Sequence, residues 1–486
     1  MRHSRPIIIA PGGKASRPGT PELYAQQAHA PAAKLPEDDL VFFLLEVVPR
    51  LDRAPIHAFY QDETRGAPPF DPAMMVCLLL YAYCVGVVSR RKIAQACERN
   101  LAFLAIAGTA RPDFRTLSLF RKHHLDAVAD VFVQVLRLAQ AAGLVRLGTI
   151  AVDGTTIQGN ASRHKAMSYG YRTQEVGRLR AGIDAPLKQA HEGDAADEAT
   201  LGTRRGDEWP EELRRREDRL ATIEAAMKRL EAEATVAADA ERQRREEAEA
   251  ERPRTGTKRR GREPGPIVET PADQAQTNFT DPELSIMQTA NKGWESCGNA
   301  QASVDGACQI IVACDVTDQC NDKQQAEPMA EWTRAQLDAA GIAPTADGIG
   351  ARPLIPAALD TGDFSGAAVA AMEREGFDPY IATERQRHHV ATPASAASAA
   401  APATAKERMR AKLGTESGRA LYARRKTIVE PVFGQIKEAR GFRRFLLRGL
   451  TKIRGAWRPV CWTHNLLKIW RYGSGFLRGS RCALIN

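Results

Sequence analysis

Residues Leu147–Gln158 have the sequence LGTIAVDGTTIQ, which predicts the first strand of a sheet. Its β-branched residues recur with a period of two, which is typical of a β-strand. Asp153 lies in the middle of this strand. A carboxylate is costly to bury there unless it is paired or bound to a cation, so Asp153 is a candidate functional residue. Taken alone, an aspartate before Gly154 is more often a turn residue.

Strand patterns return later in the chain and indicate a sheet around the first strand. Ala300–Asp305 and Gln309–Asp315 are predicted to form a hairpin that turns at Asp305–Gly306. A further brief strand is predicted over Asp378–Thr383. Helical patterns separate these strands, so we expect one mixed sheet in an α/β fold.

A second acidic residue ends another predicted strand. The segment 353–366, PLIPAALDTGDFSG, contains a short apolar run that stops at Asp360. Gly362 makes the turn that follows, and Asp363 and Ser365 can begin a helix. Ligands of α/β folds commonly bind at the carboxyl ends of core strands. This position favours Asp360 over Asp363 as a functional acid.

A third acidic residue, Glu430, lies in the basic segment 422–437, YARRKTIVEPVFGQIK. If this segment is helical, three- and four-residue spacing places five residues on one side: Tyr422, Lys426, Glu430, Phe433 and Lys437. A metal ligand near a phosphate backbone would have such surroundings. A surface salt bridge would have them too, and for an isolated glutamate that is the commoner case.

Positive charge is concentrated near the end of the chain. The 486 residues carry a formal net charge of +9, whereas residues 406–458 alone contain 16 Lys and Arg against 4 Asp and Glu. Clustered positive charge indicates a polyanionic partner, and nucleic acid is the usual one.

Cysteine usage and hydropathy give expectations about location. The nine cysteines are scattered without a C-x-x-C pair, so neither a disulfide framework nor a zinc site is indicated, and a reducing cytoplasm fits best. The longest apolar run, Met74–Val88, is shorter than the roughly 20 residues that a bilayer requires. We therefore predict a buried helix and no membrane association.

The segment 70–140 is densely helical, and Asp71 followed by Pro72 is typical of a helix start. A short helix over Thr116–His124 is predicted to expose a set of basic side chains: Arg115, Arg121, Lys122, His123 and His124. This spacing is similar to that of a helix-turn-helix recognition helix. A basic solvated face on a small helical bundle is the equally favoured alternative.

A long insertion rich in Ala, Glu and Arg follows the first strand. Its apolar residues fall on a heptad seam, comprising Leu213, Leu220, Met227, Ile223 and Leu230. The seam predicts a long helix or helical hairpin that serves as a spacer or a dimer-forming arm. Lys258–Arg262 forms a basic linker after it.

Three acids from separate parts of the chain can meet at one edge of the predicted sheet: Asp153, Asp360 and Glu430. Carboxylates packed closely together repel each other, so they suit hard cations such as Mg²⁺ or Mn²⁺. Two such ions about 4 Å apart can activate a nucleophile and stabilise a leaving oxygen in phosphoryl transfer. The basic surroundings would then hold DNA phosphates.

These segments resemble bacterial insertion-sequence transposases of the DDE type. AVDGTTIQGNAS, ALDTGDFS and VEPVFGQIKEARGFRRF are similar to the family's segments around its three catalytic acids, and the helical block from residue 70 is similar to its amino-terminal domain. Many members carry Tyr-x2-Arg-x3-Glu-x6-Lys. Here Tyr422, Glu430 and Lys437 match, while the middle spacing is one residue longer, so either Arg425 or Lys426 takes the arginine position.

The resemblance implies a fold and a domain layout. The fold is an RNase H-like mixed-sheet catalytic core of the α/β class, with an all-α N-terminal domain and a long coiled-coil-like helical insertion. The layout is a flexible tail over 1–35, a helical DNA-end-binding or dimerisation domain over 36–145, a catalytic domain over 146–168 and 290–475, the insertion and linker over 169–289, and an Ala/Ser/Pro-rich loop over 391–404.

The resemblance also implies roles for residues. Asp153, Asp360 and Glu430 would be the catalytic acids and would bind two Mg²⁺ or Mn²⁺ ions. DNA would be bound by Tyr422, Arg425, Lys426, Lys437, Arg443, Arg444, Arg115, Arg121 and Lys122. The partners would be terminal inverted repeats, target DNA and a second copy of the chain, at the bacterial nucleoid. A catalytically inactive DNA-binding relative and a metal-dependent nuclease without strand transfer are the alternatives.

Overall fold

The computed structural model describes residues 31–61, 69–162, 166–182, 211–255, 265–278, 280–289, 292–320, 324–344, 353–383 and 404–473. Most of the predicted tail, the basic linker Lys258–Arg262 and nearly all of the predicted loop 391–404 lie outside these ranges. The chain divides into two compact units, Met1–Ala127 and Val128–Asn486.

The first unit is helical over the residues that are described. Its helices are α1 (Leu40–Val47), α2 (Ala54–Gln61), α3 (Pro72–Cys84), α4 (Arg90–Arg99), α5 (Leu101–Ala107) and α6 (Phe114–His123). The predicted helix start is confirmed, because the Asp71 carboxylate accepts hydrogen bonds from the backbone N–H groups of Ala73 and Met74. The predicted buried helix is also confirmed, since every residue of 75–84 is buried. Among the described residues, no helix is long and apolar enough to span a membrane.

One residue of the predicted basic face is not exposed. His124 follows the end of α6 and is only 3% exposed. Its ring packs against those of Phe59 and Phe120, with centroids 5.1 and 4.6 Å away. The prediction that His124 faces solvent is therefore wrong, because the chain turns at this residue and directs the imidazole between two aromatic rings.

The second unit contains a mixed six-stranded sheet. Its elements are α7 (Leu125–Ala141, which begins in the first unit), β1 (Ile150–Gln158), β2 (Ala166–Ser168), α8 (169–182), α9 (Glu211–Thr255), β3 (Gln276–Asn278), β4 (Ile286–Gln288), β5 (Trp294–Asp305), β6 (Ile310–Thr317), α10 (Ala326–Ala340), β7 (Ile355–Leu359), α11 (Gly366–Arg374), β8 (Phe377–Ile381), α12 (Ala405–Gly414), α13 (Glu416–Gly434) and α14 (Leu450–Tyr472). The sheet order is β4-β5-β1-β7-β8, and β6 also pairs with β5. Strands β6, β5 and β1 are antiparallel, whereas β1, β7 and β8 are parallel.

The predicted hairpin is confirmed as β5 and β6, with its turn at Asp305–Gly306. The Asp305 carboxylate accepts a hydrogen bond of 2.9 Å from the backbone N–H of Leu147. A side chain at position 306 would meet Ile428 at 2.9 Å and the Thr149 carbonyl oxygen at 3.0 Å. Glycine therefore allows the turn to approach both β1 and α13, the helix that carries Glu430.

Within the predicted insertion, α8 and α9 form an antiparallel pair. The Arg180–Glu224 ion pair of 2.6 Å joins one end, and a 2.7 Å hydrogen bond from Tyr169 to Glu231 joins the other. The buried positions among the described side chains of α9 are Ile223, Ala226, Leu230 and Ala238. Ile223 and Leu230 of the predicted seam are thus buried within the chain, and the predicted long helix is confirmed as the single helix Glu211–Thr255.

The closing helix α14 packs against β6 and buries the Trp457 and Trp462 side chains. Trp470 is half-buried on the same helix. The sequence of residues 441–470 predicts a closing helix packed by its tryptophans, but residues 441–449 instead form an extended loop beside the end of β1, where Arg444 pairs with Gln158. Gly441 and Gly449 at the two ends of this loop have positive φ angles of 66° and 86°, which end a helix more readily than they continue one.

His464 of α14 gives the sheet unit a specific acid sensitivity. Its Nε2 lies 2.9 Å from the Gln309 carbonyl oxygen, and burial lowers the pKa of His464 to about 3. Because the unfolded value is near 6.5, the unfolded state takes up the proton first as the pH falls. We expect this residue to reduce the free energy of unfolding by about 2 kcal/mol between pH 7.5 and pH 5.

Urea unfolding of the wild type and of His464→Gln at the two pH values checks this expectation. The loss of stability on acidification should be smaller by about 2 kcal/mol in the variant. An equal loss in both proteins would contradict it.

Candidate active site

The parallel pairing of β1 and β7 brings Asp153 and Asp360 side by side. Ile150 lies beside Ala357 and Ala151 beside Ala358. Each acid comes three residues after one member of the first pair, so the two lie at the same level of neighbouring strands. Neighbouring strands are about 4.8 Å apart, which places the two carboxylates within reach of one cation.

Arg425 of α13 joins these two acids. Its Nη1 lies 2.7 Å from Asp153 Oδ2, and its Nη2 lies 3.2 Å from Asp360 Oδ1. The arginine side chain is 8% exposed. Burial disfavours the guanidinium charge, but Asp153 and Asp360 outweigh this effect and raise the pKa of Arg425. The neighbouring Lys426 is exposed, so Arg425 and not Lys426 lies at the acids.

Tyr422 lies one helical turn before Arg425 and extends this cluster. Burial raises the pKa of the Tyr422 hydroxyl, whereas its interactions with Thr361 and Arg425 oppose this shift. The tyrosine therefore lies near the residue that follows Asp360.

Glu430 lies further along α13 and is exposed. Its negative charge contributes to the raised pKa of Arg425. Among the described residues it makes no ion pair within 4.0 Å, and within the same ranges no three acids, histidines or cysteines form a group that could hold a metal ion. The structure thus brings Asp153 and Asp360 together around Arg425, with Glu430 outside this contact.

The backbone beside Glu430 is fixed by a residue that the sequence did not single out. Pro431 lies inside α13 and has no N–H to offer the Thr427 carbonyl. Gln309 Nε2 donates to that carbonyl at 3.1 Å instead, while its Oε1 accepts from Lys468 Nζ at 2.8 Å. Gln309 has a positive φ angle of 60° in the β5–β6 turn, a conformation that few residues other than glycine adopt.

Lys437 reaches the strand that carries Asp153. It lies in a π-helical turn, Gln435–Ala439, that continues α13. Its Nζ donates to Thr155 Oγ1 at 2.6 Å and to the Thr156 carbonyl at 2.9 Å. Burial lowers the pKa of Lys437. π-Helical turns are frequent at functional sites, and this one directs the lysine towards β1.

Asp363, the alternative acid after β7, has a local structural contact. It is buried, and its Oδ2 accepts a hydrogen bond of 3.0 Å from the backbone N–H of Asp360. The two residues belong to the capping box of a short 3₁₀ turn. Asp363 therefore fixes the backbone at Asp360.

Arg443 and Arg444 are exposed in the loop beside the end of β1. Arg444 Nε donates to Gln158 Oε1 at 3.0 Å, and Arg443 forms an ion pair with Glu438. The backbone of this loop also bonds to Gln158, whose carbonyl accepts from the Phe445 N–H at 2.8 Å. The loop thus holds two cationic side chains at the same end of the strand as Lys437.

In the first unit, the predicted basic residues of α6 differ in exposure. Arg115 and Lys122 are exposed, whereas Arg121 is half-buried with its guanidinium carbon 5.5 Å from the Tyr83 ring centre. Phe114 lies beside a surface cleft of about 440 Å³ whose lining includes Arg91, Lys92 and Arg111. The guanidinium carbons of Arg91 and Arg115 are 5.4 and 5.8 Å from the Phe114 ring centre.

The carboxylates of the second unit have the right chemistry for a hard divalent cation. Oxygen ligands are those that Mg²⁺ prefers, and Asp153 and Asp360 already face a common positive charge. These two residues fit such an ion by donor type and proximity. Glu430 fits by donor type, but it is not in contact with them.

Comparison with known families gives two matches. The model described as "Transposase domain (DUF772)" matches residues 30–123, and the model described as "Transposase DDE domain" matches residues 385–470. The second match includes Tyr422, Arg425, Glu430 and Lys437. No match was found among curated proteins or among solved structures. Transposase models thus match both the helical unit and the segment that contains Glu430, and these two matches support an insertion-sequence transposase of the DDE type.

Proposed function

We propose that this DNA transposase cuts the ends of its own element and joins them to target DNA, with Asp153, Asp360 and Glu430 as catalytic acids. The observation that carries the proposal is the convergence of Asp153 and Asp360 on one guanidinium, from neighbouring parallel strands. Two carboxylates held this closely repel each other, which lowers stability, and a bound cation relieves this repulsion. The mixed sheet that positions them supports an RNase H-like core.

Asp153 and Asp360 would hold Mg²⁺ or Mn²⁺, and Glu430 would complete the ligand set from α13. Such ions, when bound, activate the attacking oxygen and stabilise the leaving oxygen. The protein's own contribution is to fix the acids: Asp363 holds the backbone of Asp360, and Gln309 holds the helix beside Glu430. Glu430 must approach the two aspartates to take part, and its exposed position on α13 leaves it free of competing ion pairs within the described ranges.

The DNA backbone would lie along the basic side chains near the end of β1 and on α13. Lys426, Arg443 and Arg444 are exposed there and can contact phosphates. Lys437 and Tyr422 lie closer to the acids and would position the phosphate that is cut. Contacts of this kind bind DNA without reading its sequence.

The helical unit would recognise the terminal inverted repeats. Arg115, Arg121 and Lys122 on α6 are the proposed contacts, and the cleft beside Phe114 adds further cations to the same surface. The protein would act in the bacterial cytoplasm at the nucleoid. Pairing of two element ends requires at least two active sites, so a homodimer or a larger assembly is proposed.

An assay with purified protein tests this function. A duplex carrying one element end should be cut in the presence of Mg²⁺ and joined to a supercoiled plasmid, whereas a scrambled duplex of equal length should not. Binding without any nick in Mg²⁺ or Mn²⁺ would instead indicate an inactive DNA-binding relative. Cut ends that accumulate without joined product would indicate a nuclease.

A further inference from the structure

Arg425 occupies the position between two acids that a shared divalent cation would need. Its two terminal nitrogens are divided between the acids, one to Asp153 at 2.7 Å and one to Asp360 at 3.2 Å. A cation bridging the same two oxygens would have to displace at least one arm of the guanidinium. The two positive charges would lie a few ångströms apart in this space and would repel each other.

We propose that Arg425 is an internal counter-ion that competes with divalent metal for Asp153 and Asp360, and that a DNA phosphate removes this competition by taking the guanidinium. This inference rests on the proposed function, in which the two aspartates hold metal. Arg425 is thus a positioning residue that couples metal binding to DNA binding.

The local geometry distinguishes this contact from an ordinary surface salt bridge. The Arg425 side chain is 8% exposed, whereas the adjacent Arg424 and Lys426 are exposed. Asp360 is 51% exposed, so the site stays open to solvent and ligands on that side. Exposed ion pairs contribute little, but a buried guanidinium shared by two carboxylates holds both of them in one place.

Arg425 also has a route away from the acids. It lies on α13, the helix that carries Lys426, an exposed cation of the proposed DNA-binding surface. Arginine binds phosphate as readily as carboxylate, because its planar fork matches both. A phosphate placed near Tyr422, which lies one helical turn before Arg425, would therefore accept the guanidinium and release the aspartates for metal.

The consequence is reciprocal coupling between metal and DNA. If DNA strengthens metal binding by drawing Arg425 away, metal must strengthen DNA binding by the same factor. The coupling keeps the affinity for metal low until DNA is bound. Removal of the arginine charge should uncouple the two events.

Direct Mn²⁺ binding to the full-length protein tests the proposal without any cleavage. Calorimetry gives the dissociation constant of Mn²⁺ for the wild type, Arg425→Gln, Arg425→Lys and Arg424→Gln. Electron paramagnetic resonance measures the free Mn²⁺ in the same titrations. We expect Arg425→Gln to bind Mn²⁺ about tenfold more tightly, in the range of typical allosteric couplings. Arg425→Lys should remain close to the wild type because it keeps the charge, and Arg424→Gln is the matched control with no expected change.

A second set of Mn²⁺ titrations is carried out in the presence of a short DNA duplex of unrelated sequence. The duplex should tighten Mn²⁺ binding by the wild type about tenfold and by Arg425→Gln less than twofold. Equal Mn²⁺ affinity in the wild type and Arg425→Gln, or no measurable binding by either, would overturn the proposal. Thermal unfolding identifies a variant that is misfolded, and Arg425→Lys then decides the test, since tighter binding by this charged variant would also contradict the competition.

A variant without both aspartates separates this failure from failure of the proposed function. If Asp153→Asn/Asp360→Asn abolishes Mn²⁺ binding while Arg425→Gln leaves it unchanged, the acids hold metal and only the competition is wrong. If the double variant binds Mn²⁺ as the wild type does, the proposed metal site itself is wrong.

Discussion

Replacement of Asp153 by asparagine is expected to lower the rate of DNA-end cleavage by at least about 10³-fold, since the proposed site loses a charged ligand in the middle of β1. The substitution keeps the size of the side chain and its place in the strand. DNA binding should change much less, because the exposed cations Lys426, Arg443 and Arg444 of the proposed DNA surface remain in place. Single-turnover cleavage of an end-bearing duplex in Mg²⁺ measures the effect.

The matched control is Asp338→Asn on α10. Asp338 is about half exposed, and its ion pair with Arg334 spans 4.0 Å, so its loss should leave cleavage within about twofold of the wild type. Cleavage by Asp153→Asn at a rate near that of the control would exclude Asp153 from the catalytic site. Thermal unfolding of both variants shows whether an effect arises from misfolding.

Replacement of Trp457 by alanine has the largest expected effect on stability. Trp457 is fully buried on α14, and its Nε1 donates to the Gln301 carbonyl at 3.1 Å. Removal of the indole leaves a cavity between α14 and β5 and removes this hydrogen bond, so we expect a loss of about 3–5 kcal/mol in the free energy of unfolding. Denaturation in urea, followed by far-ultraviolet circular dichroism, measures this loss independently of tryptophan fluorescence.

Trp294 provides the control for this measurement. It begins β5 in the same sheet but is 60% exposed. Trp294→Ala should therefore change the free energy of unfolding by less than about 0.5 kcal/mol. Similar losses for the two tryptophans would show that α14 does not form the core of the sheet unit.

The part of the fold that follows from local pattern could be predicted from the sequence. The alternating residues of LGTIAVDGTTIQ and the apolar run that ends at Asp360 each predict a strand, and both strands are present. If these two strands are parallel neighbours, Asp153 and Asp360 come three residues after paired positions, so the two acids lie side by side. This pairing explains why two distant aspartates could be proposed as one site.

The choice between Arg425 and Lys426 could not be predicted in the same way. The two cations are adjacent in sequence, and only the rotation of α13 about its axis decides which one faces the sheet. That rotation depends on how Ile428, Val429 and Val432 pack, and all three are buried. The same rotation leaves Glu430 exposed. Regular helical spacing predicts that Glu430 and Phe433 share one face of the helix, but Phe433 is buried.

Partners that are distant in sequence were not predictable from spacing. The role of Gln309 depends on a carbonyl that Pro431 leaves without its helical donor, and the hydrogen bond spans more than a hundred residues. The contact of Lys437 with β1 depends on a π-helical turn that the residue pattern does not predict. The extended loop 441–449 could not be distinguished from a helix by its sequence, because its apolar residues Phe442 and Phe445 are buried from irregular backbone.

A change of metal preference tests most directly whether Asp360 and its partners form a metal-dependent catalytic site. Asp360→Cys exchanges a hard oxygen ligand for a softer thiolate, which disfavours Mg²⁺ more than Mn²⁺. We predict that this variant fails to cleave an element end in Mg²⁺ and regains cleavage in Mn²⁺, while Asp360→Ala is inactive in both. Cleavage by Asp360→Cys in Mg²⁺ at the wild-type rate would contradict the account.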